Sequence, residues 1–143
     1  MFDVLEHIQD DIGMLKQLKR ILQIGGRVYI AVPTFDMLWS KEDVFGGHYR
    51  RYTIASLERV LVAAGFAIEA STYMFQCLWL PILLLRALPS RLHLSVSVEE
   101  ESRARHEMPR NRVLEAVLDR EYRAIRSGRK ISFGSSCIVV ARA

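Results

Sequence analysis

Gln23-Ile24-Gly25-Gly26-Arg27-Val28-Tyr29-Ile30-Ala31-Val32-Pro33 reads as the end of a helix, a glycine stop and a buried strand that runs into a loop. Gly25 can take the left-handed conformation that closes a helix. Arg27 to Val32 is a short β-branched and aromatic run of the kind that forms a strand covered on both faces, and Pro33 ends it. A helix that passes into a strand through so short a turn is the αβ half of a βαβ unit, so a partner strand is expected just before the helix and parallel to this one. Met1 to Leu5 would supply the last residues of that strand, so the sequence reads as one that begins inside a fold.

Before the glycine stop, Asp10 or Asp11 can cap a helix whose apolar residues Ile12, Leu15, Leu18, Ile21 and Leu22 recur at helical spacing, with Lys16, Lys19 and Arg20 toward its C-terminal end. After the strand, residues 34–52 show neither the helical nor the strand period and hold Trp39, Asp43, Gly46-Gly47 and His48-Tyr49-Arg50-Arg51-Tyr52. A loop of that length in a compact domain usually has a function. Thr53 caps the next helix, which buries Leu57, Val60, Leu61 and Ala64 and stops at Gly65. Phe66, Ile68 and Ala70 then alternate with Ala67, Glu69 and Ser71, as in a strand with one wetter face.

Tyr73 to Leu88 is almost wholly apolar, yet shorter than the roughly 20 residues that cross a bilayer as a helix, so a buried or interfacial helix is expected. Pro89 to Pro109 is mixed in composition and is expected to be a mobile loop, which makes 73–110 an apolar helix plus loop inserted in one domain. Asn111 or an adjacent residue opens an amphipathic helix with Val113, Leu114, Val117, Leu118 and Ile125 inward and Arg120, Arg123 and Arg126 outward, stopped by Gly128. Cys137 to Ala141 is a last buried strand.

A chain of 143 residues, half of them hydrophobic, can bury one core and has little room for two. The net charge of +4 comes from basic groups interleaved with acidic ones, which is too mild to argue for nucleic acid. Cys77 and Cys137 have no metal-type spacing, so a reducing, cytoplasmic compartment is expected, with membrane association as the alternative that the apolar stretch opens. Asp3, Glu6 and Asp10 stand where a secretory signal needs a basic start and an apolar run.

Four segments, Asp3-Val4-Leu5-Glu6-His7-Ile8, Gly25 to Pro33, Gly47-His48-Tyr49-Arg50-Arg51-Tyr52-Thr53 and Ala64-Gly65-Phe66, together resemble the class I S-adenosylmethionine-dependent methyltransferases in residues, order and spacing. The closing Phe133 to Arg142 is similar to the tail of one bacterial branch of that family. The resemblance covers nearly the whole chain but only the second half of the family's Rossmann-like α/β domain, strand 4 to strand 7. It implies a sheet with strands at Met1 to Leu5, Arg27 to Val32, Phe66 to Ser71 and Ser136 to Ala141, the final one antiparallel and inserted between the two before it. It also implies S-adenosylmethionine as cofactor. The family's glycine-rich loop and its ribose-binding acidic residue are not among these residues, whose eight glycines contain no Gly-x-Gly. The chain is therefore expected to be the C-terminal part of the enzyme, inactive alone; the alternative is a non-catalytic half-sheet module that works by self-association or protein binding.

Asp3, Glu6 and His7 fall where a central parallel strand ends, which is where ligands bind in open α/β sheets. The resemblance implies that Asp3, Val4 and Leu5 line the cofactor pocket and that Glu6 or His7, with His48, can take a proton from the acceptor. The plainer reading has Asp3 and Glu6 bonding backbone at the turn. An acidic-x-x-Glu-His pattern with His48 is also similar to the metal site of some related methyltransferases, but metal-free members carry Leu-Glu-His too, and the residues are read here without a metal. Trp39, Arg50, Arg51 and Tyr52 overhang the same crevice, the arginines suited to a carboxylate or phosphate of the acceptor and the aromatics to its flat walls. The alternative is that Arg50 pairs with Asp43 or Glu42 and Tyr52 staples the next helix. Expected partners are a small-molecule or lipid-like acceptor, a membrane surface touched by residues 73–88, and a second copy of the chain across the open sheet edge at Met1 to Leu5; no nucleic acid is expected.

Overall fold

The computed structural model describes residues 1–92 and 111–143. Its centre is a three-stranded sheet of β1 (Arg27–Pro33), β2 (Ala67–Met74) and β3 (Ser136–Arg142) in the order β1-β3-β2. β3 runs antiparallel to both neighbours, with Ile30 opposite Val139 and Thr72 opposite Ile138. The expected fourth strand is present as a short parallel bridge between Phe2 and Ala31, in which the Asp3 and Ala31 N–H groups donate to Ala31 and Met1 carbonyls at 3.0 Å. The mixed sheet with its last strand antiparallel and inserted between the preceding two is the arrangement that the resemblance implies.

α1 (Asp11–Ile21) and α3 (Ile54–Ala63) are the expected helices, capped by Asp10 on Gly13 N–H and by Thr53 on Ser56 N–H. They lie on one face of the sheet. Leu5, Leu15, Leu57, Leu61 and Phe66 meet Val28, Ile30, Val32, Cys137 and Val139 there in one buried cluster. The period of two in β1 sends Tyr29 to the opposite face, where it is 48% exposed and lines an open groove of about 260 Å³ with Ile138, Val140 and Ile125. The expectation that this strand is covered on both faces holds for one of them. β2 carries one extra residue at Glu69 relative to β3, and this bulge aims the carboxylate at Arg27, Nε to Oε2 2.6 Å.

Residues 34–52 are more ordered than their lack of period suggests. They form a 3₁₀ turn (Asp36–Leu38) and α2 (Lys41–Phe45), and they return to the sheet through a Thr34 to Tyr52 bridge. The apolar stretch is a helix on the surface: α4 (Gln76–Ile82) continues through a π-helical turn (Leu83–Ala87) into α5 (Leu88–Arg91), and only Ala87 is buried. Most of the loop expected over Pro89 to Pro109 lies outside the described residues; its first residues continue this helix.

α6 (Arg112–Arg126) starts after an Asn111 cap, but of its expected inward residues only Leu118 and Ile125 are half-buried, Ile125 in the groove beside Tyr29. Val113 is 73% exposed, and Leu114 and Val117 are exposed as well, because the helix is anchored by polar contacts. Its Glu121 carboxylate accepts from the Phe75 N–H and, at 2.9 Å, from the Gln76 N–H at the start of α4.

Near β3 the chain depends on one missing side chain. A Cβ on Gly134 would stand 2.0 Å from the Met74 carbonyl oxygen, a backbone atom that cannot rotate away. Gly134→Ala is expected to lower unfolding free energy by about 1–3 kcal/mol, as overpacking does, measured by urea denaturation; Gly128→Ala, where nothing stands within 4 Å, costs only the strain of its positive φ.

Candidate functional site

Glu6 and His7 sit on a single 3₁₀ turn (Leu5–His7) at the carboxyl end of the short parallel strand. The 34–52 loop closes over that turn, and the Tyr49 N–H donates to the Glu6 carbonyl at 2.8 Å. His48 thereby comes against His7, ring centroids 4.5 Å apart and edge to face. Donor atoms of Glu6, His7 and His48 all lie within 4.8 Å of one another. Three residues expected to act together are together.

The Glu6 carboxylate is fully buried, and neither of its oxygens has a hydrogen-bond partner among the described residues. Burial raises its pKa and Asp3 adds to the effect, while its own backbone N–H, then His48 and His7, oppose it without cancelling it. A buried acid without partners costs stability, so its presence points to a group that it meets in use.

His48 is held from behind. Its Nδ1 lies 2.9 Å from Asp43 Oδ1, and Asp43 is buried at the centre of five hydrogen bonds. Arg51 donates to both carboxylate oxygens, Nε to Oδ1 2.8 Å and Nη2 to Oδ2 3.0 Å, and the Ser40 N–H donates to Oδ2 at 2.8 Å. Burial pushes the Asp43 pKa up, but the Arg51 hydrogen bonds and charge, with Ser40 and His48, outweigh it and hold the group below the usual carboxylate value. An ionised carboxylate only accepts, so His48 Nδ1 donates to it, and Nε2 is the ring nitrogen left for another partner. Asp43 was legible as a loop residue but not as this hub. The signal was Ser40-x-x-Asp43, a capping box that opens α2.

Arg50, Arg51 and Tyr52 have protein partners of their own. Arg50 Nη1 reaches Asp11 Oδ2 at 2.9 Å and Nη2 reaches the Gln9 carbonyl at 2.7 Å. The loop-closing ion pair is thus Arg51 with Asp43, where Arg50 was the arginine weighed for it. Tyr52 lies in the core, its hydroxyl donating to Asp11 Oδ2 at 2.9 Å, and burial followed by that hydrogen bond raises its pKa. It is a prop beneath the site and no wall of it. Trp39 is half-buried on the same loop.

At the strand end, Asp3 is exposed with a positive φ of 49°, Val4 is exposed and Leu5 is buried in the core. Two accessible residues beside an unpaired carboxylate fit the sulfonium end of S-adenosylmethionine, whose positive charge the carboxylate complements. Glu6, His7 and His48 can also hold a divalent cation.

The sequence pattern of the family described as a methyltransferase domain matches residues 1–71. No curated protein sequence matches. Among solved structures, the chain is similar to phosphoethanolamine N-methyltransferase 2 of Haemonchus contortus in complex with S-adenosyl-L-methionine, at 18% identity and a TM-score of 0.49, covering 99% of this chain and 31% of that one. It is similar also to an S-adenosylmethionine-dependent methyltransferase from Mesorhizobium loti, at 14% identity and a TM-score of 0.48, covering 99% of this chain and 59% of that one. The chain thus spans about a third and about three-fifths of the lengths of these two proteins. Over residues 1–71, just under half of its length, the chain matches the methyltransferase-domain family.

Proposed function

We propose that these residues form the acceptor side of a methyltransferase, with Glu6, His7 and His48 as the proton-handling groups. The unpartnered, buried Glu6 carboxylate facing two histidines is the observation that supports it. S-adenosylmethionine, when bound, supplies the methyl group. Asp3 and Val4 hold its methionine end, with Leu5 in the core beneath them rather than at the cofactor, and the chain's own work is positioning: the 34–52 loop fixes the acceptor over the strand end, and Asp43 fixes His48 so that Nε2 can receive a proton. Arg50, Arg51 and Tyr52 act on the acceptor by shaping that loop, and Trp39 borders it.

Affinity for the cofactor should be low in these 143 residues by themselves, since they contain no Gly-x-Gly loop and no ribose-binding acid of the family's kind. Calorimetric titration with S-adenosylmethionine is expected to give no binding in the micromolar range. A micromolar constant would overturn the acceptor-side reading.

A second reading is favoured by the same cluster. Glu6, His7 and His48 bind a divalent cation that fixes an acceptor oxygen, the carboxylate then finding its partner in the ion.

A further inference from the structure

The helix of residues 76–91 is amphipathic in the reverse sense for a soluble chain. At the ideal helical period Leu80, Pro81, Leu84, Leu85, Leu88, Arg91 and Leu92 share one arc of roughly 140°. All seven are exposed, Leu85 to 72%. The polar side faces the protein: Arg86 Nη1 pairs with Glu42 Oε2 at 2.9 Å, and Ser90 Oγ accepts from the Lys41 N–H at 3.0 Å. Arg91 donates to the Asp36 and Met37 carbonyls at 3.1 and 3.2 Å, which leaves Met37 exposed beside the leucines. Five outward leucines on one helix form a contiguous apolar surface that water does not favour. Between Leu80 and Leu92 the outward arc has no acidic residue and carries the exposed cation Arg91, on a chain of net charge +4. Among the described residues no helix is long and apolar enough to cross a membrane.

We infer that this face docks in the plane of an anionic lipid bilayer, the leucines entering the acyl boundary while Arg91 meets the headgroups. The helix is bonded to residues 36–42, the segment that leads into Ser40 and Asp43, so docking brings the site beside the membrane. The acceptor is then one with a lipid anchor, a conclusion that rests on the methyl-transfer reading; the docking itself does not.

The test is flotation of the whole chain with vesicles of phosphatidylcholine alone or mixed with phosphatidylglycerol. Binding to the anionic vesicles is expected, and the double variant Leu84→Asp/Leu85→Asp should lower the bound fraction at least tenfold with its circular dichroism unchanged. Val113→Asp, on the exposed side of α6, should leave it unaltered. Absence of binding to either vesicle, an equal loss with Val113→Asp, or light scattering that shows the leucine face buried between two copies in free solution would each overturn the assignment. Methylation of a soluble acceptor by a vesicle-binding enzyme would remove only the acceptor class.

Discussion

Asp43→Ala is expected to lower the free energy of unfolding by about 3–5 kcal/mol, the range seen when one member of a buried ion pair is removed. The side chains of Asp43 and Arg51 are 1% and 10% exposed, so solvent screens the pair little. Without the carboxylate, Arg51 keeps one bond, to the Thr34 carbonyl at 3.2 Å, and its charge stays where water cannot reach it. The five-residue α2 loses half of its capping box in the same change, and a helix that short does not persist on propensity. His48 loses the group that fixes its ring. Asp43→Asn should cost less, since the amide retains one acceptor for Ser40 or Arg51. The comparison is Glu69→Ala, which breaks an exposed pair with Arg27 and should change little. Urea unfolding of the three variants measures the difference, and equal midpoints for Asp43→Ala and Glu69→Ala would mean that Asp43 does not hold the loop.

The same residues explain which parts of the molecule were legible in advance. β1, its glycine stop and the Thr53 cap are written in adjacent residues, because strand propensity, a left-handed glycine and an N-cap are local properties. The parallel stub at Phe2 followed from the short helix-to-strand passage, whereas the insertion of β3 between its neighbours followed from the resemblance, since pairing β1 with β3 over about a hundred residues leaves no local trace. The choice between Arg50 and Arg51 as the partner of Asp43 was hidden for a different reason. Tyr52 bridges to Thr34 in extended conformation, and alternation along that segment sends Arg50 and Tyr52 together to Asp11 and Arg51 the other way. Two adjacent arginines are equivalent in a sequence until such a register is known. In residues 73–88 nearly every position is apolar, so periodicity carried no signal about which side faces out; the contacts Arg86–Glu42 and Ser90–Lys41 set it.

Glu6→Gln, in an active enzyme that joins these residues to a glycine-rich cofactor segment, is expected to reduce turnover by about 10²–10⁴-fold, the span that a general base contributes. The substitution keeps volume and burial, so a loss would trace to the charge and the proton that the carboxylate can take. Its raised pKa suits the role, because a base with no partner in the resting site is most effective when its proton affinity lies nearer the working pH. His48→Ala should produce a loss of similar order by removing the Nε2 lone pair, and Arg123→Ala, on an exposed part of α6, should leave turnover unchanged. Equal activity in all three variants would remove Glu6 and His48 from the mechanism. A chelator separates the two ways in which the cluster can act. Under the proton-transfer reading, activity survives it and Glu6→Gln is rescued by acceptors whose nucleophile is already deprotonated. Under the cation reading, activity falls with the chelator and returns with a divalent ion, and titration of that ion alone onto this chain gives a site that Glu6→Gln and His48→Ala each weaken, since an amide is a poorer ligand than a carboxylate and alanine is none.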